Sequence, residues 1–354
     1  MSKKKILLLS DDLRMHSGIA TVSKDIVLGT IDKYDWVQLG AAIKHPEEGK
    51  VVDMSKAVDD LKKDGGNYSL KVYPISGYGN PNLLRTLIEK EKPDAILHYT
   101  DPRQWIWLYQ MEHEIRQNIP IMYYNIWDDL PDPHWNTNFY RSCDLLMAIS
   151  KQTYGINKRL LDVHNYQDWQ IKYVPHGINK NRFSKIEDKG DTKFKEFEQK
   201  FGLDKYKFKI LYSNRNIRRK QPGDVALAYK HMMDKLTPEQ RKDCVLIFHT
   251  APVDENGTDL ESLCGKLLPE YPVIFTYRSK KNGAFNDEEM NFLFNSSDIY
   301  INIASNEGFG LGSAEALTCG TPIVVNVTGG LQDQCGFKNE KLIIEVNIKN
   351  MVNG

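Results

Sequence analysis

SNEGFGLGSAEALTCGTP, residues 305–322, sets two glutamates, Glu307 and Glu315, on either side of a glycine-rich run. The preceding DIYINIA (298–304) reads as a strand, SNEGFG as a loop, and LGSAEALTCG as a helix stopped by Gly320. Gly308, Gly310 and Gly312 therefore stand at a helix entrance, where backbone N–H groups and the positive end of the helix dipole favour an anion. The stretch fits a cradle for a phosphate or for sugar hydroxyls, with Glu307 just before it and Glu315 about one turn inside the helix. The same residues also fit a plain strand-to-helix turn with Glu315 as a dipole partner. A dinucleotide fingerprint is excluded, because Ser313 holds the place of the third glycine, and the chain contains no Walker A sequence.

Short apolar runs recur on both sides of this stretch. ILLLS (6–10), AILHY (95–99), IPIMYYNIW (119–127) and LLMAIS (145–150) are each followed by residues with helical spacing. Strands covered on both faces read this way, so a parallel sheet between helices is expected. After VPHGINKNRF (174–183) comes the charged IEDKGDTKFKEFEQKFG, a solvated helix or linker, and the pattern restarts. FKILYS (208–213), CVLIFHT (244–250), VIFTY (273–277), DIYINIA and TPIVVNV (321–327) supply a second set of strands. The expectation is α/β: two Rossmann-like, doubly wound domains, 1–180 and 181–354, facing a central cleft at the carboxyl ends of their sheets.

The 354 residues suffice for two such cores. Lysine plus arginine equal aspartate plus glutamate at 47 each, so no overall basic field directs the chain to nucleic acid or to an anionic membrane. Five scattered cysteines without a Cys-x-x-Cys pair point to reduced thiols. KKKILLLSDD is too short in apolar residues for a signal peptide, and no apolar run could span a bilayer. A soluble, cytoplasmic protein is expected, and a peripheral membrane contact remains compatible with the sequence.

The block S-x-E-G-F-G-L-x-x-x-E-A-L-x-C-G-T-P-I-V, followed by TGGLQD, resembles the Glu-x7-Glu region of retaining glycosyltransferases of the GT-B fold, the glycogen-synthase-like group. Other pieces resemble that family in the same order. SGIAT (17–21) is similar to its amino-terminal glycine loop, VPHGINKNRF to P-x-G-V-D-x-x-x-F, and SNRNIRRKQ (213–221) to G-R-x-x-x-x-K-G, with Arg215 and Lys220 at the matching spacing.

The resemblance implies a metal-independent transfer of a sugar from a nucleoside-diphosphate donor to a hydroxyl acceptor, with retention by front-face attack. Arg215 and Lys220 would meet the charge that develops on the leaving diphosphate. Glu307 would hold the donor-sugar hydroxyls, with Gly308 beside it in the donor site and the cradle completed by backbone N–H groups of Phe309, Gly310 and Leu311, and Glu315 would hold the ribose. Ser17 and Gly18 would let the amino-terminal backbone approach the donor. No Asp-x-Asp motif occurs, so neither metal nor cofactor is expected beyond the nucleotide sugar itself. WDDLPDPHW (127–135) could be read as a metal loop, but its prolines favour an ordered turn at a strand end.

That loop also departs from the family, which often has a histidine–aspartate pair where Trp127 and Asp128 stand. His98, Asp101, Trp127, Asp128 and His134 are the acceptor-side candidates, with His98 equally readable as a core histidine. Trp127 and Trp135 offer a stacking wall or ordinary core aromatics. After TGGLQDQ only residues 335–354 remain, so the carboxyl-terminal helix that crosses back in relatives is expected to be missing, and Asp333 stands where many have glutamate. The acceptor is open: a saccharide, lipid carrier, protein, small metabolite or modified DNA base. Competing readings are a nucleotide-sugar epimerase and a non-catalytic sugar-nucleotide binding module. A nicotinamide oxidoreductase fits poorly, since SGIAT has one glycine where that chemistry uses three.

Overall fold

The computed structural model describes residues 3–42, 46–161, 166–277 and 285–335. They form two compact units, Met1–His176 and Gly177–Gly354. The sequence places the change of domain at 180; the contacts divide the chain four residues earlier, inside the VPHGIN stretch.

The first unit carries an eight-stranded sheet: β1 (Lys4–Asp11), β2 (Tyr34–Ala41), β3 (Val52–Asp53), β4 (Leu70–Pro74), β5 (Ala95–Tyr99), β6 (Ile121–Asn125), β7 (Leu145–Ala148) and β8 (Ile171–Tyr173). Their order is β3-β4-β2-β1-β5-β6-β7-β8, parallel throughout except for the β3–β4 pair. Leu7, Leu8 and Leu9 of β1 are all fully buried, as expected of a central strand with helices over both faces. The apolar runs at β1, β5, β6 and β7 are strands as read. The sequence reading omits β2, β3, β4 and β8.

In the second unit the strands are β9 (Phe208–Tyr212), β10 (Cys244–Phe248), β11 (Val273–Phe275), β12 (Ile299–Asn302) and β13 (Ile323–Val325), ordered β11-β10-β9-β12-β13 and all parallel. Each is one of the expected runs. The charged segment forms the helix Thr192–Phe201, capped by Asp191, whose carboxylate accepts from Phe194 N–H at 3.0 Å. Its buried Phe194 and Phe197 show that this helix has an apolar face against the core and is not a wholly solvated linker.

Both sheets run outward in two directions from their first strand, so the order reverses beside β1 in one unit, between β1 and β5, and beside β9 in the other, between β9 and β12. In open parallel sheets this reversal leaves a crevice outside the carboxyl ends of the two strands, where ligands bind. The residues after β9 and β12 are thereby marked by topology. Among the described residues no helix is long and apolar enough to cross a membrane. The expected loss of a crossover helix concerns residues outside the described ones. Cys143, Cys244, Cys264 and Cys319 are buried and Cys335 is half-buried, all five unbridged.

Candidate active site

After β9 the chain passes Ser213, Asn214, Arg215 and Asn216, makes a single 3₁₀ turn (Arg218–Lys220), and enters the helix Pro222–Asp234 with proline at its first position. Gln221, between turn and helix, has φ +52°, a left-handed conformation. After β12 the chain passes Asn302 through Gly310 into the helix Leu311–Thr318, with Gly310 at φ +86°. A Cβ at Gly310 would also lie 2.5 Å from Leu331 Cδ2, so conformation and space both require glycine there.

The two loops are joined where the strand order reverses. Lys220 Nζ meets Glu307 Oε1 directly, in an ion pair between side chains that are 10% and 9% exposed. Asn302 Nδ2 donates to the same oxygen at 3.1 Å. Arg219 donates to Asn306 O at 2.8 Å, and its guanidinium lies 3.9 Å from Glu307 Oε2. The carbonyl of Arg219 in turn accepts from Ser305 N–H at 2.9 Å and Ser305 Oγ at 3.3 Å. The basic turn is thus stitched along its length to the glutamate loop.

Tyr300 of β12 braces the same junction. Its hydroxyl donates to Ser213 O at 3.0 Å and accepts from Asn214 Nδ2 at 3.1 Å. Gly312 leaves room for that hydroxyl, since a Cβ there would fall 2.4 Å from it. Behind the EGFG loop, Gly329 and Gly330 approach so closely that added Cβ atoms would sit 2.1 Å from Glu307 O and from Gly308 O. Gly330 N–H donates to Glu307 O at 2.7 Å, and Gln334 Nε2 donates to Phe309 O at 2.6 Å. The glycines of TGGLQD therefore act sterically, letting one backbone lie on another and holding the cradle in shape. Glu315 is half-buried in the helix, its charge near the Tyr300 hydroxyl and the Cys319 thiol.

Arg215 behaves differently from Lys220. It forms a two-pronged pair with Asp254, Nε at 2.9 Å and Nη2 at 3.3 Å, and is 61% exposed. The guanidinium holds the Asp254 carboxyl below its ordinary range. Next to it, fully buried Asn216 donates to the carbonyls of Ala251, Pro252 and Thr258 and so fixes the 251–258 loop that carries Asp254. The structure engages the two expected phosphate cations with different carboxylates. Arg219, which the sequence gives no role, is the arginine beside Glu307.

In the first unit, Ser17 caps the helix Gly18–Thr30, its Oγ accepting from Ala20 N–H at 3.1 Å. Burial raises the Asp11 carboxyl at the end of β1, against hydrogen bonds from Ser17 and Thr100. Asp101 caps the turn Pro102–Trp105, accepting from Arg103 N–H at 2.9 Å, and pairs with the Arg103 guanidinium. Trp127 Nε1 donates to Asp129 O at 2.8 Å, and the ring packs edge-on against Trp135, which is 60% exposed. Asp128 and His134 lie in the same segment, His134 exposed at the start of a short 3₁₀ turn. Among the described residues no group of three or more His, Cys, Asp or Glu side chains is placed to hold a metal ion.

His98 is corrected as an acceptor-side candidate. It is fully buried, hydrogen-bonded through Nδ1 to Tyr109 Oη at 2.6 Å and stacked on Tyr123, and burial lowers its pKa to about 3. A neutral imidazole sealed among aromatic rings is a core residue. The histidine at the edge of this sheet is His176, with Nδ1 2.8 Å from Tyr124 Oη and Nε2 3.3 Å from Tyr99 Oη. Its presence inside VPHGIN carries no signal by which a single sequence could single it out. Asn302 does carry one, as a lone amide inside the apolar run DIYINIA.

Comparison with known proteins bears on this arrangement. Residues 193–354 match the family model for Glycosyl transferases group 1. Mannosylfructose-phosphate synthase of Agrobacterium fabrum is 24% identical over 194 residues, 54% of this chain and 39% of its own. An uncharacterized glycosyltransferase of Methanocaldococcus jannaschii is 26% identical over 199 residues, 55% of this chain and 45% of its own. The matched region spans less than half the length of either relative. Similar solved structures include sucrose-phosphate synthase from Thermosynechococcus elongatus (TM-score 0.67, 15% identity, 94% of this chain and 84% of that one). An Anabaena protein, HepE, in complex with UDP and glucose aligns with TM-score 0.64 at 14% identity over 94% of this chain and 83% of its own. An Escherichia coli trehalose-6-phosphate protein bound with UDP-2-fluoro glucose gives 0.64 and 14% over 93% and 86%. The chain has the GT-B fold.

Proposed function

We propose that this chain is a retaining glycosyltransferase that moves a sugar from a nucleoside diphosphate to a hydroxyl acceptor without a metal ion, in a reducing cytoplasm. The observation that carries the reading is the buried Lys220–Glu307 pair at the reversal point of the second sheet. A cation and a carboxylate held side by side at a ligand crevice suit a donor that has an anionic diphosphate and a neutral polyhydroxyl ring joined at one bond. Lys220 stabilises charge as it grows on the leaving diphosphate oxygen, and Glu307 accepts hydrogen bonds from sugar hydroxyls. Arg215 contributes once its fork exchanges Asp254 for phosphate oxygens, a geometry guanidinium groups match equally well. The N-terminus of the helix Leu311–Thr318, with the loop amides of Phe309 and Gly310, faces the anion, and Glu315 receives the ribose hydroxyls.

Neither glutamate attacks the sugar in this scheme. The acceptor hydroxyl approaches on the face the diphosphate leaves, and a diphosphate oxygen takes its proton, which keeps the anomeric configuration. Within the first unit, Ser17 and Gly18 are the candidates for donor contacts, and Asp101, Trp127, Asp128 and His134 the candidates for the acceptor.

The reading is tested by incubating the chain with nucleotide sugars, including UDP-glucose, in EDTA with a panel of hydroxyl acceptors, and following diphosphate release and product by NMR. Release coupled to a product of the donor's anomeric configuration supports it. A sugar nucleotide isomerised without transfer would support the epimerase, and one bound but never consumed the binding module.

A further inference from the structure

The two described contacts within hydrogen-bonding distance of the Glu307 carboxylate, from Lys220 and from Asn302, fall on the same oxygen, Oε1. Oε2 is 3.9 Å from Arg219, beyond hydrogen-bonding distance. Oε1 is thus engaged by two hydrogen-bond donors, while Oε2 has the Arg219 ion pair at 3.9 Å and keeps its hydrogen-bond acceptor sites for a ligand. Lys220 alone cannot enforce this. An ammonium group is a point charge with three rotatable donors and leaves the plane of the carboxylate free to turn about that contact. The amide of Asn302 has a fixed direction. Its Oδ1 accepts from Ala304 N–H at 3.2 Å, and a backbone N–H can only donate, so the NH₂ group must face Glu307. The same NH₂ lies 3.4 Å from Ser313 Oγ in the first turn of the helix that follows the cradle. Asn302 is 1% exposed, and Ser313 is fully buried.

Resting on the transferase reading above, we propose that Asn302 is a positioning residue: it fixes the orientation of the Glu307 carboxylate toward the donor sugar, and so makes the cradle selective for the sugar-bearing nucleotide over the bare diphosphate. Asn302 touches no substrate. It acts through Glu307, and its contribution disappears when Glu307 is absent.

The test is a double-mutant cycle on the full chain with Asn302→Ala, Glu307→Ala and the pair, together with Asn302→Asp. Asn302→Asp keeps the acceptor for Ala304 N–H and loses the donor to Glu307. Binding of UDP and UDP-glucose, or of whichever diphosphate and nucleotide sugar the wild type consumes, is measured with kcat and KM for transfer. Folded fraction is monitored by circular dichroism. Asn302→Ala and Asn302→Asp are expected to bind the bare diphosphate within about twofold of wild type and to lose about tenfold or more in kcat, the scale of a misplaced reacting group. In the Glu307→Ala background the Asn302→Ala step is expected to change little, the signature of two residues acting as a unit. Additive losses in the cycle, or equal weakening of diphosphate and nucleotide sugar, would overturn the proposal. Donor consumption by the wild type separates this from the function itself: no consumption of any nucleotide sugar contradicts the transferase, whereas consumption with an additive cycle contradicts only the role of Asn302.

Discussion

Lys220 and Glu307, 87 residues apart in the chain, form a buried ion pair that joins the turn after β9 to the turn after β12. Burying two charges is costly, and the pair tolerates it because each supplies the other's partner. Truncating Lys220→Ala leaves the buried Glu307 carboxylate without its direct ion-pair partner, with only the Asn302 amide and the more distant Arg219 guanidinium beside it. The second unit is expected to lose about 3–5 kcal/mol of stability. Lys220→Met with Glu307→Gln, which removes both charges at similar volume, should recover most of it. Urea unfolding of the single and double variants measures both. A single variant as stable as wild type would show that the pair contributes nothing to the fold.

Tyr300 and Gly312 predict a second coupling. Gly312→Ala places a Cβ 2.4 Å from the Tyr300 hydroxyl and should destabilise by about 1–3 kcal/mol through overpacking. Tyr300→Phe removes the colliding oxygen, so Gly312→Ala made in that background should cost markedly less. Equal costs in both backgrounds, read by thermal unfolding, would mean that the hydroxyl is not what Gly312 accommodates.

Gln221 sits at φ +52°, where glycine is at ease and other residues are strained. It also stands where the resembled motif has glycine. Gln221→Gly relieves about 1–2 kcal/mol of strain and adds about 0.5–1 kcal/mol of unfolded-state entropy, so a small net stabilisation is expected. Chemical denaturation checks it, and a loss of stability would point to a contact of the glutamine side chain that outweighs its backbone.

Burial lowers three histidines, His98 to about 3 and His176 and His249 to about 4. Their unfolded value is about 6.5, so the unfolded chain takes up protons first as pH falls. The stability they contribute is complete above pH 6.5 and is lost as pH drops toward about 4 for His176 and His249 and about 3 for His98. For fully buried His98 the loss approaches about 1.4 kcal/mol per pH unit within that window. Urea titrations of the first unit's transition at pH 7 and pH 5 should show a shallower pH dependence for His98→Phe than for wild type. Identical slopes would mean that His98 takes up a proton as readily in the folded protein as in the unfolded chain.

The second sheet is legible because each of its strands is a short, mostly apolar run bounded by polar or turn residues. In the first sheet β2 is hidden from a reading by apolar runs because Gln38 interrupts it. That amide is fully buried, donating to Ser10 Oγ at 2.9 Å and Asp11 O at 2.8 Å and accepting from Leu13 N–H at 3.1 Å, a polar residue satisfied locally. β4 alternates exposure along LKVYP and ends in proline, and β8 is only three residues long. At the site, Glu307 and Lys220 could be named from motif spacing. Their direct pairing could not, nor could the pairing of Arg215 with Asp254, since both join segments far apart in sequence. The bracing role of Gly329 and Gly330 likewise depends on two backbones touching, which spacing does not encode.

Transfer itself is the most direct test of the account. A nucleotide-sugar panel in EDTA, with acceptors present, is followed by NMR for the wild type and Lys220→Ala, each corrected for its folded fraction. The account predicts a product that keeps the donor's anomeric configuration and a turnover about a hundredfold or more slower in the variant, the scale of losing one group that stabilises transition-state charge. Inverted product, dependence on a divalent ion, or unchanged turnover in Lys220→Ala would contradict it.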